Sequence, residues 1–173
     1  AKTIGTKIIY NDKLIGLEYI STQTSLVSII KNQISTSNIK ISTKSILLKD
    51  IVTFARTINN RSELFILENF IKSGYLNADL ELNIDENGEI KKDYKIKGFL
   101  KDGKINFIKD YNFEKIDFLF EISENNYKLE DISFLTNKIN FISDKLNIKK
   151  NKKDYFFEGN IENKDSFINP KLI

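Results

Sequence analysis

The sequence contains no cysteine, histidine, methionine or tryptophan, and only one proline among its 173 residues. The missing cysteine and histidine exclude thiol nucleophiles, disulfides, Ser-His-Asp triads and the usual ligands of zinc, copper and haem. The seven glycines are scattered singly, so the closely spaced glycines of a phosphate-binding loop are also missing. We therefore expect a protein that is not an enzyme and that has no cofactor and no metal ion.

The charge of the chain is nearly balanced, with 27 basic and 24 acidic residues and a formal net charge of +3. Nucleic-acid interfaces favour arginine and concentrated positive patches, whereas only two basic residues here are arginines, so no nucleic-acid partner is expected. One dense basic cluster is present, which is interpreted as a solvated hairpin, with an anion or lipid-headgroup contact as the alternative. The cluster consists of Lys149, Lys150, Lys152 and Lys153.

The sequence has no stretch that could cross a membrane as a helix. Its longest apolar runs, such as Ile46–Leu48, are far shorter than the ~20 residues that a membrane-spanning helix needs. Because the chain begins with Ala1 and contains no methionine, we expect it to be a processed product or a fragment of a longer chain. A signal peptide or membrane anchor would then lie outside this sequence.

From about Tyr75 to Ile161 apolar and polar residues alternate in short segments. Phe118 and Phe120 share one parity, so they are expected on one face of a strand, with their polar neighbours on the other. Turn-forming residues separate the segments at intervals of about 12 residues, which is typical of a β-meander. The predicted turns are Asn87-Gly88, Asp102-Gly103 and Glu124–Asn126, and a looser loop is predicted at Asp110–Asn112.

The pattern before this region changes to a helical one. Apolar residues from Leu47 to Ile58 recur every three or four positions, which predicts an amphipathic helix. A second, shorter helix is predicted from Ser62 or Glu63 to Lys72, with Gly74 just past its end as a helix-terminating glycine. Both helices are expected to cap one end of the sheet.

The predicted fold class is mainly β: an antiparallel meander forming a curved sheet or open β-groove, with one or two short helices at one end. Residues 2–10 and 14–20 are predicted strands around a turn at Asn11-Asp12, and residues 38–42 are another strand. Residues 26–34 fit either a strand or a short helix. The chain is divided, within one structural unit, into N-terminal strands (1–44), a helical segment (45–73), the meander (74–163) and a tail (164–173).

Three stretches of the meander carry recurring motifs. They are a G-x-L and an I-x-G-x-L-x-D-G-x-I motif within Ser73–Phe107, the strands of Phe118–Lys150, and an x-G-x-I-x-N motif ending at Asn163. Over roughly residues 39–163 this sequence resembles the bacterial AsmA-like superfamily, which includes the TamB and YhdP types. Such proteins are anchored in the inner membrane and extend through the periplasm as a long β-groove thought to carry phospholipid between membranes. The family's N-terminal membrane helix is not part of this sequence.

The resemblance implies a periplasmic or cell-envelope location, with phospholipid acyl chains and flanking segments of the same parent chain as partners. In this hypothesis ten apolar residues line the groove. They are Leu80, Leu82, Ile96, Ile105, Phe107, Phe118, Phe120, Phe134, Ile139 and Phe141. The alternative is that the same residues fill the closed core of a structural β-sandwich or barrel that binds no ligand.

Overall fold

The computed structural model describes residues 1–10, 13–23, 38–58, 62–85, 91–108, 111–151 and 154–164. Within these residues the chain forms twelve strands and two helices. The strands are β1 (Lys2–Ile4), β2 (Lys7–Tyr10), β3 (Lys13–Gln23), β4 (Asn38–Thr43), β5 (Ile46–Leu47), β6 (Ile71–Asn83), β7 (Lys95–Ile108), β8 (Tyr111–Ser123), β9 (Asn126–Thr136), β10 (Ile139–Asn151), β11 (Asp154–Gly159) and β12 (Glu162–Lys164). The helices are α1 (Leu48–Ile58) and α2 (Ser62–Phe70).

All described strands belong to one antiparallel sheet in the order β1-β3-β4-β6-β7-β8-β9-β10-β11. Three short strands extend this path, because β2 pairs with β3, β5 with β6, and β12 with β10. From β6 to β11 each strand pairs with the next one along the chain, so hairpins suffice to connect them. Since β1 and β11 lie at opposite edges, the sheet is open. The predicted mainly-β, antiparallel fold with two short helices is confirmed.

Helix α1 packs against one end of the sheet. Its Ile51 contacts a buried cluster formed by Ile15, Leu17 and Ile46, and Val52 is also buried. An acidic residue in the first turn and a basic residue in the last turn complement the helix dipole. Neither helix in the described part of the chain is long and apolar enough to span a bilayer.

The predicted end of the second helix is wrong. Helix α2 ends at Phe70 and β6 begins at Ile71, so Gly74 lies inside a strand and does not terminate the helix. Gly74 has a φ of 136°, and a Cβ placed on it would lie 3.1 Å from Gly103 Cα in the neighbouring strand. The glycine is therefore required by the close approach of two backbones at a β-bulge.

The turn predicted at Asp102-Gly103 is also wrong, because β7 continues through both residues. Asp102 adopts a left-handed conformation with φ 52°, and the β7–β8 register shifts next to it. An Asp-Gly pair meets the need for a positive φ in either a tight turn or a bulge. Here the pairing of β7 with strands on both sides favours the bulge.

Bulges recur at similar positions in neighbouring strands. Lys115 in β8 and Asp131 in β9 both have a φ of 51°, and register shifts lie beside them. At a bulge two residues of one strand oppose one residue of its partner. If even-numbered residues of the strand point to one side of the sheet before the bulge, odd-numbered residues point to that side after it. Because the bulges fall at similar positions in neighbouring strands, the alternation of side chains shifts by one residue in all of them. Residues that are paired across the strands therefore still point to the same side of the sheet beyond the bulges.

Other boundaries differ in detail from the prediction. Residues 2–10 are divided into β1 and β2, and β8 already begins at Tyr111, where a loop was predicted. The turn between β8 and β9 is confirmed at Glu124-Asn125. The predictions for Asn11-Asp12, residues 26–34 and Asn87-Gly88 fall outside the described residues, as does most of the tail.

Candidate functional site

One row of directly paired residues crosses the sheet from β3 to β11 and consists of apolar or aromatic side chains. In strand order its members are Ile20, Ile41, Leu80, Ile96, Ile122, Tyr127, Ile148 and Phe157. Residues that are paired across antiparallel strands point to the same side of the sheet. This side is the apolar face. With strands ~4.8 Å apart, the eight strands of the row span on the order of 30 Å.

Nine of the ten predicted groove-lining residues lie on the apolar face. Five of them belong to the row or lie two or four residues from its member in the same strand, so they point to the same side: Leu80, Leu82, Ile96, Phe118 and Phe120. The other four lie beyond the bulges: Ile105, Phe134, Ile139 and Phe141. The side chain of the tenth, Phe107, lies outside the described part of the structure. The geometry brings the nine together, and their role as lipid contacts stays a prediction.

Aromatic rings form a strip on the apolar face across β8, β9 and β10. The ring of Phe134 stacks on Phe141 with centroids 5.2 Å apart, and it lies 5.7 Å from the ring of Phe113. The rings of Phe118 and Phe120 are 6.3 Å apart in an edge-on arrangement. Phe113 was missed by the sequence reasoning because the bulge at Lys115 reverses the parity of β8 between it and Phe118.

Exposure separates the two faces of the sheet except at the edge strand β11, where Phe157 of the row is 68% exposed. On the apolar face Phe120 is 8% exposed and Ile132 is 9% exposed, and most other large side chains are half-buried. On the opposite face Phe99 is 40% exposed and Leu119 is 44% exposed. The described strands form one sheet that is open between β1 and β11, so the alternative of a closed barrel is wrong for this part of the chain, while the alternative of a structural domain that binds no ligand stays a prediction.

The opposite face is the charged face, where lysines pair with glutamates of neighbouring strands and, in the case of Lys128 and Glu130, of the same strand. The ion pairs on it are Lys40–Glu81 (3.2 Å), Lys95–Glu121 (2.7 Å), Lys97–Glu121 (3.5 Å), Lys104–Glu114 (2.6 Å) and Lys128–Glu130 (2.6 Å). A hydrogen bond from Lys95 holds the pKa of Glu121 below its ordinary value. Such exposed pairs add little stability each, but they favour one strand register and keep this face in water.

A polar network joins the two helices. Thr53 Oγ1 donates a hydrogen bond of 2.6 Å to Glu68 Oε1, and Arg56 donates to Glu68 Oε2. The Arg56 guanidinium also lies 5.2 Å from the centroid of the Phe65 ring. The hydrogen bond from Thr53, followed by the charge of Arg56, lowers the pKa of Glu68 from its ordinary value of 4.5. The ionised carboxylate therefore holds α1 and α2 together.

We expect Glu68→Gln to lower the free energy of unfolding by about 1 kcal/mol at pH 7. Because the folded-state pKa of Glu68 lies below 4.5, its contribution is complete above pH 4.5 and is lost as the pH falls through the folded pKa. The difference between wild type and variant should thus shrink at pH 3. Urea unfolding at pH 7 and at pH 3 measures this difference in the free energy of unfolding. Glu124→Gln, whose carboxylate is 43% exposed beside Lys92, is the control, and an equal loss there would contradict the assignment.

Cavities elsewhere in the described residues do not suggest chemistry. One cavity of about 400 Å³ lies between β10 and the β11–β12 segment, and polar residues including Asp144, Lys145 and Glu158 line it. In the described ranges no three or more acidic side chains are grouped in a way that could hold a metal ion. The apolar face is therefore the best candidate for a functional site.

The geometry of this face has three parts: an uninterrupted apolar row, an aromatic strip, and a charged surface on the reverse side. Its strands come from both the N-terminal part of the chain and the meander. Comparison of the chain with protein-family models, with curated proteins and with solved structures finds no match in any of the three.

Proposed function

We propose that the apolar face binds the acyl chains of phospholipid and forms a segment of a groove along which lipid moves between membranes. The observation that carries this proposal is the row of apolar side chains across eight strands of one open sheet, on which helix α1, in the described part of the chain, packs only near the Ile20 and Ile41 end. Exposed apolar surface of this extent usually marks a site for an apolar partner. The role is one of binding and conduction and involves no catalysis.

The free energy of an acyl chain on such a face favours movement of the lipid along the face over tight binding at one position. Each methylene removed from water contributes about 0.8 kcal/mol, so a chain of ~16 methylenes is stabilised by on the order of 13 kcal/mol relative to water. A bilayer interior offers the same chain a similar gain. The net transfer between bilayer and groove is therefore close to neutral, and the groove lowers the barrier without trapping the lipid.

The open edges of the sheet suggest how the segment is continued. Strands β1 and β11 each present one unpaired side within the described sheet, and unpaired strand edges readily accept another strand. In the proposal, flanking segments of an AsmA-like parent chain pair with these edges and prolong the apolar face. The parent chain is anchored in the inner membrane, outside this sequence, and this segment lies in the periplasm.

Photo-crosslinking tests the proposal. We expect a photoreactive phenylalanine analogue at Phe134, on the apolar face, to form adducts with phospholipid when the chain is incubated with vesicles of phosphatidylethanolamine and phosphatidylglycerol. The same analogue at Phe99, which is 40% exposed on the charged face, is the matched control and should form few. Mass spectrometry of the intact chain counts the adducts.

Two outcomes would count against a lipid-binding face. Equal adduct yields at Phe134 and Phe99 would mean that lipid contacts the sheet without preference. Adducts with another protein at Phe134, without any lipid adduct, would favour the alternative of a structural or interaction domain.

A further inference from the structure

Polar aromatic residues and a lysine gather where the apolar face reaches the β8–β9 and β10–β11 turns, which is the hairpin end of the sheet. Lys150 is paired with Tyr155, and its Nζ lies 5.6 Å from the centroid of the Tyr155 ring. Burial raises the pKa of Tyr94 above its ordinary value; Tyr127 and Glu124 act in the same direction, and Lys150 opposes them. Tyr127 is paired with Ile148, which lies two residues before Lys150 in β10. Tyr94 lies two residues before Ile96 of the row, so these residues lie at the same end of the sheet.

Lys150 stands on the apolar face. Ile148 belongs to the apolar row, and Lys150 follows it by two residues in the same strand, so both side chains point to the same side. Lys149, between them, points to the charged face. The half-buried stem of Lys150 can lie along apolar surface while its ammonium group reaches water at the edge of the sheet.

The charge of Glu124 does not cancel this cation. Its carboxylate oxygen lies 3.5 Å from Lys92 Nζ, so a second lysine already balances it. The ammonium group of Lys150 offers three hydrogen-bond donors, and the two tyrosine hydroxyls offer one each. Phosphate oxygens accept such bonds, and hydrogen bonds to a charged partner are about twice as strong as neutral ones.

We infer that Lys150, together with the hydroxyls of Tyr94 and Tyr127, binds the phosphate group of a lipid headgroup. The lipid then lies with its headgroup at the hairpin end, and its acyl chains cover the apolar face towards the ring pair of Phe134 and Phe141. This inference rests on the proposed function, since it assigns an orientation to the lipid bound there. A free phosphate ion has the same chemistry, and the experiment separates the two sources.

The test compares Lys150→Gln with Lys149→Gln, which removes the same charge from the next residue on the opposite face. Three probes are used by titration calorimetry: short-chain phosphatidylglycerol, a neutral monoacylglycerol of equal chain length, and inorganic phosphate. We expect Lys150→Gln to weaken phosphatidylglycerol binding about tenfold and to leave monoacylglycerol binding unchanged. Lys149→Gln should change neither affinity. Tyr94→Phe should weaken phosphatidylglycerol binding to a smaller extent.

The possible results separate this inference from the proposed function. Equal weakening by both lysine substitutions would overturn the inference, because net charge alone would explain it. Monoacylglycerol binding without any preference for phosphatidylglycerol would also overturn it, while the apolar groove would stand. Binding of inorganic phosphate alone, lost in Lys150→Gln, would keep the anion site and overturn the lipid orientation. Failure of all three probes to bind would overturn both proposals.

Discussion

Replacement of Gly98 by alanine is expected to lower the free energy of unfolding by about 3 kcal/mol. Gly98 lies in β7 and is paired with Ala78 on one side and Phe120 on the other. A Cβ placed on it would lie 2.0 Å from the backbone oxygen of Asn77 and 2.7 Å from Phe120 Cζ. The oxygen belongs to the strand ladder and cannot move without breaking it, so the added methyl group must displace a whole strand.

Gly16→Ala is the matched control. Gly16 also lies in a strand, but the nearest atom to its added Cβ is Cδ of the flexible Lys44 side chain, at 3.6 Å. We expect this change to stay within about 0.5 kcal/mol of wild type. Urea unfolding followed by far-ultraviolet circular dichroism measures both variants. Equal stability of the two alanine variants would mean that the contact between β6 and β7 is looser than the structure has it.

Phe120→Glu should destabilise the fold by about 4 kcal/mol or more, because Phe120 is 8% exposed and its ring covers Gly98. The substitution removes a packed ring and places a carboxylate without a partner in its position. Leu119→Glu changes the next residue, which is 44% exposed on the charged face, and should cost less than about 1 kcal/mol. The difference tests the assignment of the two faces directly.

Thermal and urea unfolding of the two glutamate variants measure this difference. If Phe120→Glu left the free energy of unfolding unchanged, the Phe120 ring would be on the surface and the burial described above would be wrong. The low exposure of Phe120 also bears on the proposed function. Its ring serves mainly to cover the glycine, and the half-buried rings of Phe118, Phe134 and Phe141 are better placed to contact an acyl chain.

The sequence predicted the apolar face well where strands are regular. Leu80, Ile96 and Phe120 could be assigned to one side because alternation has a period of two and antiparallel pairing preserves it. The bulges could not be predicted in this way. Lys115 has a positive φ although nothing in its side chain favours that conformation, and Asp102-Gly103 has the composition of a turn. For this reason Phe113 was missed and a continuous strand was divided in two.

The sequence by itself determined the class of this protein: antiparallel strands with one apolar and one charged side, two short helices, and no cysteine or histidine for thiol or imidazole chemistry. Local alternation, turn residues and composition suffice for this, because each acts within a few neighbouring residues. Only the tertiary structure decided that the bulges of adjacent strands align, that the sheet stays open, and that Lys150 lies at the end of the apolar face. These features depend on strand register and on where distant edges lie, and many residues far apart in the chain must agree on them at once.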